Sequence, residues 1–143
     1  MAEPRAVEAI VLRGFRTGEA DLVVHLLTPE GRVNAIAKGA RRTTAKLGAR
    51  LEPFTRIEAM LAAGKGDLST ITGAHVLWSG DDLRRDPLRI AAGTAGLEAV
   101  VRLFPEPEPD ERLFRGLERY LEALAGPLGD DPAAAAETLT LAF

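Results

Sequence analysis

The first 78 residues are cut into short aliphatic and β-branched segments by turn residues at regular intervals, and that punctuation limits this part of the chain to a small all-β unit. "VEAIVLRGF" (7–15) and "DLVVHLLT" (21–28) are joined by "RTGEA", in which Gly18 can supply a positive φ. Pro29 and Gly31 mark the next turn, leading into "RVNAIAK" (32–38). "TRIEAMLA" (55–62) and "LSTITGAHVLW" (68–78) follow, separated by the turn "AGKGD". Five strands of this length make too small a sandwich, and an open sheet would leave two edges exposed. Closure into a five-stranded barrel removes the edges, and the OB-fold is the expected solution, with a short-stranded SH3-like barrel as the alternative. Gly14 and Gly73 are placed for the bends or bulges that such a barrel needs.

Beyond Trp78 the period changes to 3.6. Asp86 and Pro87 give an N-cap followed by proline at the first helical position, and Leu97, Val100, Val101 and Phe104 then share one face. "PEPEPD" (105–110) ends that helix. A second, from about Glu111 to Ala125, aligns Leu113, Leu117, Tyr120, Leu121 and Leu124, and a third is expected from Ala133 after the cap-and-proline pair Asp131-Pro132. The chain is therefore expected to divide into a barrel domain, 1–79, and the first helices of an all-helical domain, 80–143. The apolar "LTLAF" at the end carries no capping signal, so the helical pattern is expected to continue in a longer protein.

Charge follows the same division. The net charge of -3 combines 11 Lys+Arg against 8 Asp+Glu in residues 1–80 with 7 against 13 in residues 81–143. A net-positive barrel beside an acidic helical part points to a polyanionic partner for the barrel, although solubility alone produces such asymmetry too. The positive charge is concentrated in "KGARRTTAKLGARLEPF" (38–54), where Lys38, Arg41, Arg42, Lys46 and Arg50 precede the first carboxylate, Glu52. With Leu47 and Leu51 as its only bulky anchors before Pro53 and Phe54, this connection between the third and fourth strands is expected to be a mobile, solvated loop whose charges phosphates can reach.

Catalytic chemistry has little support. Cysteine is absent and the two histidines, His25 and His75, have no metal-ligand spacing, so neither a metal site nor a cofactor is expected. "AAGKGDLS" fails as a phosphate loop because Ala59 stands where the first glycine belongs and Gly66 replaces the Ser/Thr after Lys65. His25, inside "VVHLL", reads as a core or barrel-wall histidine, and Asp81-Asp82 and Asp130-Asp131 as helix-start carboxylates. Among the aromatics, Phe54 is expected in the core, Trp78 between barrel and first helix, and Phe15 as the best stacking candidate. No apolar run is long enough to cross a bilayer and no signal peptide opens the chain, which points to the cytoplasm and away from membranes.

The ordered pattern "AIVLRGFRTGEADLVVHLLTPEGRVNAIAKGARR", then "KLGARLEPF" and "GKGDLSTIT", resembles the N-terminal part of the RecO family of bacterial recombination mediators and DNA-repair proteins. The segment "DPLRIAAGTAGLEAVVRLF" and the helix after it are similar to the start of that family's helical domain. The resemblance implies an OB-fold followed by helices, and a non-enzymatic protein that binds single- and double-stranded DNA, anneals strands and helps load the RecA recombinase. It implies RecR and the acidic tail of single-stranded DNA-binding protein as partners. Many members carry a cysteine zinc module in the C-terminal half, to which this cysteine-free sequence contributes no ligand. The DNA-facing residues implied are Lys38, Arg41, Arg42, Lys46 and Arg50, with Arg13, Arg16 and Arg32 in second rank. A protein-interaction adaptor and an RNA-binding OB module are the rival readings.

Overall fold

Strand alternation carries the fold: in the computed structural model, which describes residues 4–64, 66–105, 108–131, 133–135 and 137, the five β segments each send one row of aliphatic side chains to a common interior. They are β1 (Arg5–Thr17), β2 (Asp21–Thr28), β3 (Gly31–Ala37), β4 (Arg56–Ala62) and β5 (Leu68–Trp78). The sheet closes in the order β1-β2-β3-β5-β4, with β4 returning to β1. Every pairing is antiparallel except β3 with β5. This is a closed OB-like barrel, as expected, and its shortest seam is β3 with β5, paired only through Asn34–Ile36 and Leu68–Thr70. Val7, Ala9, Val11, Val24, Leu26, Ala35, Ile57, Ala59 and Ile71 fill its interior.

Three register shifts bend the strands. Thr72 and Leu77 are the extra residues in β5, where Met60 pairs with Gly73 and Leu61 with Ile71, and where Arg56 pairs with Trp78 and Ile57 with Val76. Gly73 thus flanks a bulge, close to expectation. In β1 the bulge lies at Leu12, since Val11 pairs with Leu26 and Arg13 with His25; Gly14 remains in the regular ladder opposite Val24. Leu12, not Gly14, is therefore where β1 breaks its alternation.

The basic connection is not the loosely solvated loop that its composition suggests. Ala40 and Leu51 are 4% and 2% exposed and join the barrel interior, and Leu47–Arg50 forms a single-turn helix, α1. Arg41 is the second reason: its Nε donates to the Asp21 carbonyl at 2.8 Å, and its Nη2 donates to the Gly18 and Thr17 carbonyls at 2.8 and 3.2 Å. Backbone bonds from Arg41 N to Ala20 O and from the Gly39 N–H to Asp21 Oδ1 complete the attachment to the β1–β2 turn.

Where the connection re-enters the barrel, Phe54 adopts a φ of 79°, a left-handed conformation that is costly for a bulky residue. Hydrogen bonds between Phe54 N and Val11 O, and between Val11 N and Thr55 O, hold it there. Its ring is buried with the helices, as the sequence implied. Arg84 pins the same turn by donating to Pro53 O at 2.7 Å, to Thr55 Oγ1 at 2.8 Å and to the Ser79 carbonyl.

The helices are α2 (Asp81–Arg84), α3 (Pro87–Leu103) and α4 (Glu111–Ala125), followed by a 3-10 turn at Pro127–Asp130. Asp86 and Asp110 cap α3 and α4 by accepting from Leu88 N and Leu113 N, each at 2.9 Å. Asp131 accepts from Ala133 N and Ala134 N, starting the expected third helix, whose C-terminal "LTLAF" lies outside the described residues. Asp81 and Asp82 occupy the first turn of α2, whereas Asp130 pairs with Arg89 at 2.6 Å. The helices pack on the outside of β1 and β2, where Ile10, Leu12 and Leu27 meet Leu97, Val100, Phe114, Leu117 and Leu121, with Trp78 at the margin.

Gly96 sets the α3–α4 spacing. A Cβ there would lie 2.5 Å from Tyr120 Cε2, and the tyrosine cannot swing aside because its hydroxyl donates to Ala92 O at 2.7 Å. Gly96→Ala should therefore lower stability by about 1–3 kcal/mol, seen as a lower urea midpoint with an unchanged slope.

Candidate nucleic-acid interface

The bulge at Leu12 determines which side chains face outward. Val7, Ala9 and Val11 point into the barrel, so unbroken alternation would send Arg13 and Phe15 inward as well. The extra residue instead places Arg13 opposite His25 and Phe15 opposite Val23, on the outer side of the β1–β2–β3 sheet. Asn34 and Arg32 of β3 lie opposite His25 and Leu27 on the same side.

Three of these residues are in direct contact. The Arg13 Nε–H donates to His25 Nδ1 at 3.2 Å, and its guanidinium carbon lies 5.2 Å from the centre of the Phe15 ring. The Phe15 and His25 rings meet edge to face, 5.1 Å apart at 61°. A histidine nitrogen that accepts from arginine is unprotonated. Burial first, then the charges of Arg13 and Arg32, lower the His25 pKa below its ordinary 6.5. Burial and the charge of Arg13 likewise lower the Arg32 pKa. Arg32 Nη1 reaches Pro105 O at 3.4 Å, while its buried Nε has no partner among the described residues. His25 is thus a wall residue, one of the two expected placements, but one that joins Arg13 to Phe15. Its position opposite Arg13 depends on the bulge, which alternation alone did not reveal.

The other candidates occupy two further places. Lys38 and Arg42 are exposed beside the β1–β2 turn that Arg41 grips, and Arg16 is exposed near the end of β1. Lys46 is exposed before α1, and Arg50 donates to Ala74 O at 3.2 Å, so the C-terminal end of the connection leans towards β5. The structure joins Arg13 with Arg32 on the sheet and Lys38 with Arg41 and Arg42 at the hairpin end; Arg50 stands apart.

Charge pairing separates these cations from others in the molecule. Arg5, Arg56, Arg84, Arg85, Arg89, Arg102 and Arg115 all make ion pairs with carboxylates. Among the described residues, none of Arg13, Arg16, Arg32, Lys38, Arg41, Arg42, Lys46 or Arg50 does so within 4.0 Å. The densest network lies at the barrel–α4 junction, where Glu8 meets Arg56 at 3.2 Å and Arg115 at 3.0 Å, and Glu118 meets them at 3.1 and 2.9 Å. Hydrogen bonding to Glu8 is the leading cause that raises the Arg115 pKa. The described residues contain no His/Cys/Asp/Glu group able to hold a metal, and no described helix is long and apolar enough to cross a membrane.

A closed OB-like barrel buttressed by helices, with basic side chains that make no ion pair within 4.0 Å among the described residues, defines a class of small-barrel proteins. Residues 1–79 match the family description "Recombination protein O N terminal", and residues 84–142 match "Recombination protein O C terminal". The chain belongs to the recombination protein O (RecO) family. It is 48% identical over 120 residues to DNA repair protein RecO of Nocardioides sp., covering 82% of this chain and 49% of that protein. It is 40% identical over 123 residues to the Geobacter metallireducens protein of the same name (85% and 50% covered) and 46% identical over 118 residues to that of Rubrobacter xylanophilus (80% and 46%). The chain spans about half the length of these curated relatives.

Two predictions follow from this geometry. Arg41→Ala should lower stability by about 1–2 kcal/mol through loss of its bonds to backbone carbonyls, and Arg41→Lys should not restore it, because an ammonium lacks the guanidinium fork; urea unfolding measures both. Because the native His25 pKa is below 6.5, the unfolded chain takes up the proton first as pH falls. The His25 contribution to stability should be fully present above pH 6.5 and decline below it, and the difference between wild-type and His25→Gln unfolding curves across that range isolates it.

Proposed function

We propose that this chain is the DNA-binding portion of a non-enzymatic recombination mediator acting in the cytoplasm, which binds single- and double-stranded DNA, promotes strand annealing and helps load RecA together with RecR and single-stranded DNA-binding protein. The observation that carries the reading is the segregation of charge: eight cations on the barrel and its basic connection have no carboxylate partner among the described residues, whereas arginines at the helical junction do. Like charges held together without a counter-ion, as Arg13 and Arg32 are across His25, favour binding of an anion, and phosphates spaced along a nucleic-acid strand supply several. The names of the relatives, DNA repair proteins, favour DNA as that strand.

On this reading residues 1–79 contact DNA and residues 80–143 begin a helical domain that stiffens the barrel through their shared core. Lys38, Arg42 and Lys46 are the primary phosphate ligands, with Arg13, Arg16, Arg32 and Arg50 flanking them, and Arg41 both contacts phosphate and holds the connection in place. A second reading, docking of a protein partner, is favoured by a cleft of about 240 Å³ between barrel and helices, lined by Leu27, Arg32, Leu103, Phe104 and Leu113.

Titration of labelled single-stranded DNA at several salt concentrations tests the proposal. With about four phosphate contacts the log–log slope should be roughly -3, and Lys38→Glu/Arg42→Glu/Lys46→Glu should cut affinity by roughly tenfold or more and flatten the slope by about 2. Salt-insensitive or undetectable binding by the folded protein would favour the adaptor reading instead.

A further inference from the structure

We infer that Arg13, Phe15 and His25 form a nucleobase-stacking subsite for single-stranded DNA, an assignment that rests on reading this barrel as a DNA-binding module. Phosphate contacts alone need only exposed cations, and these three residues offer something more specific. Phe15 is 46% exposed although the core is well supplied with aliphatic side chains. Exposure of an aromatic ring is unremarkable on its own, but this ring is restrained: a guanidinium lies 5.2 Å from its centre and an imidazole edge 5.1 Å away. Arg13 is in turn oriented by its bond to His25 Nδ1 at 3.2 Å. The ring is thus presented to solvent in a fixed orientation, so a base that stacks on it pays little to order it.

The surroundings suit a nucleotide. Arg13 and Arg32 supply positive charge without a carboxylate partner, and the amide of exposed Asn34, opposite His25, offers both donors and an acceptor. The Leu12 bulge creates the arrangement by turning Arg13 and Phe15 outward. Bases in duplex DNA are already stacked within the helix, so only an unpaired strand can use the subsite. A phosphate-binding barrel with one such ring should hold single strands more tightly than their charge alone explains.

The test compares two labelled oligomers of equal charge and a length of about 12 nucleotides, within the range one OB-fold spans: oligodeoxythymidylate, and a strand whose central residues are abasic. The full chain should prefer the first by about five- to tenfold, the order expected for one stacked base. Phe15→Ala should remove that preference while leaving affinity for the abasic strand and the salt slope unchanged in a chain that still unfolds cooperatively in urea, and Phe15→Tyr should keep it. Equal binding of both oligomers by the wild type, or equal loss on both in Phe15→Ala, overturns the stacking subsite and leaves phosphate binding standing. Binding to neither oligomer overturns the DNA-binding reading itself. Tighter binding of a uridylate oligomer of the same length overturns the assignment to DNA.

Discussion

The middle of β1, Ala9–Leu12, is buried on both sides, and the rest of the structure depends on it. Val7, Ala9 and Val11 close the barrel interior while Ile10 and Leu12 enter the layer beneath the helices. A strand with one wet face tolerates drift in what covers the other, but a strand packed on both faces binds two layers into one cooperative unit. The two cores therefore meet along β1, and the helices are part of what keeps the barrel wall in shape. The Glu8–Arg56–Arg115–Glu118 network lies at this junction, and its exchange of partners suits a part-buried position, where isolated charges would be costly.

The basic connection is subject to the same constraint. It leaves the barrel after β3 and returns through Phe54, whose left-handed backbone is held by hydrogen bonds to Val11 on either side. Leu51 enters the barrel core and Phe54 the helical core, so each end of "LEPF" is anchored in a different layer. Arg41 fixes the other end through backbone carbonyls of the β1–β2 turn. A segment rich in alanine, glycine and threonine can thus present Lys38, Arg42 and Lys46 from a defined position. Limiting the conformations of a charged segment lowers the entropy lost when phosphates are bound.

The bulge at Leu12 links packing to the surface. Leu12 keeps the helix-facing side that alternation gives it after Ile10, and the extra residue transfers Arg13 and Phe15 from inward to outward positions. One extra residue therefore places the aromatic element of the proposed DNA face directly beside a residue of the second core. His25, held neutral by burial and by two arginines, is the acceptor that keeps Arg13 beside the ring.

Much of this was determined by the sequence alone. Turn punctuation delimits five strands, the 3.6 period and the Asp-Pro and Asp caps delimit the helices, and the charge division marks the basic face, because propensity, capping and composition act over a few neighbouring residues. The basic run with Lys38, Arg41, Arg42, Lys46 and Arg50 was legible for the same reason, whereas Arg13, Arg16 and Arg32 were candidates only through the family resemblance. Which of these cations hold the fold was not legible, because Arg41 meets Thr17, Gly18 and Asp21 only after the barrel closes. The place of the β1 bulge was equally hidden: Gly14 was the local signal for a break, yet the break falls at Leu12, because it is set by the register between β1 and β2, which exists only once the strands pair. Local chemistry determined the elements and their charge; tertiary packing decided which side chains those elements present.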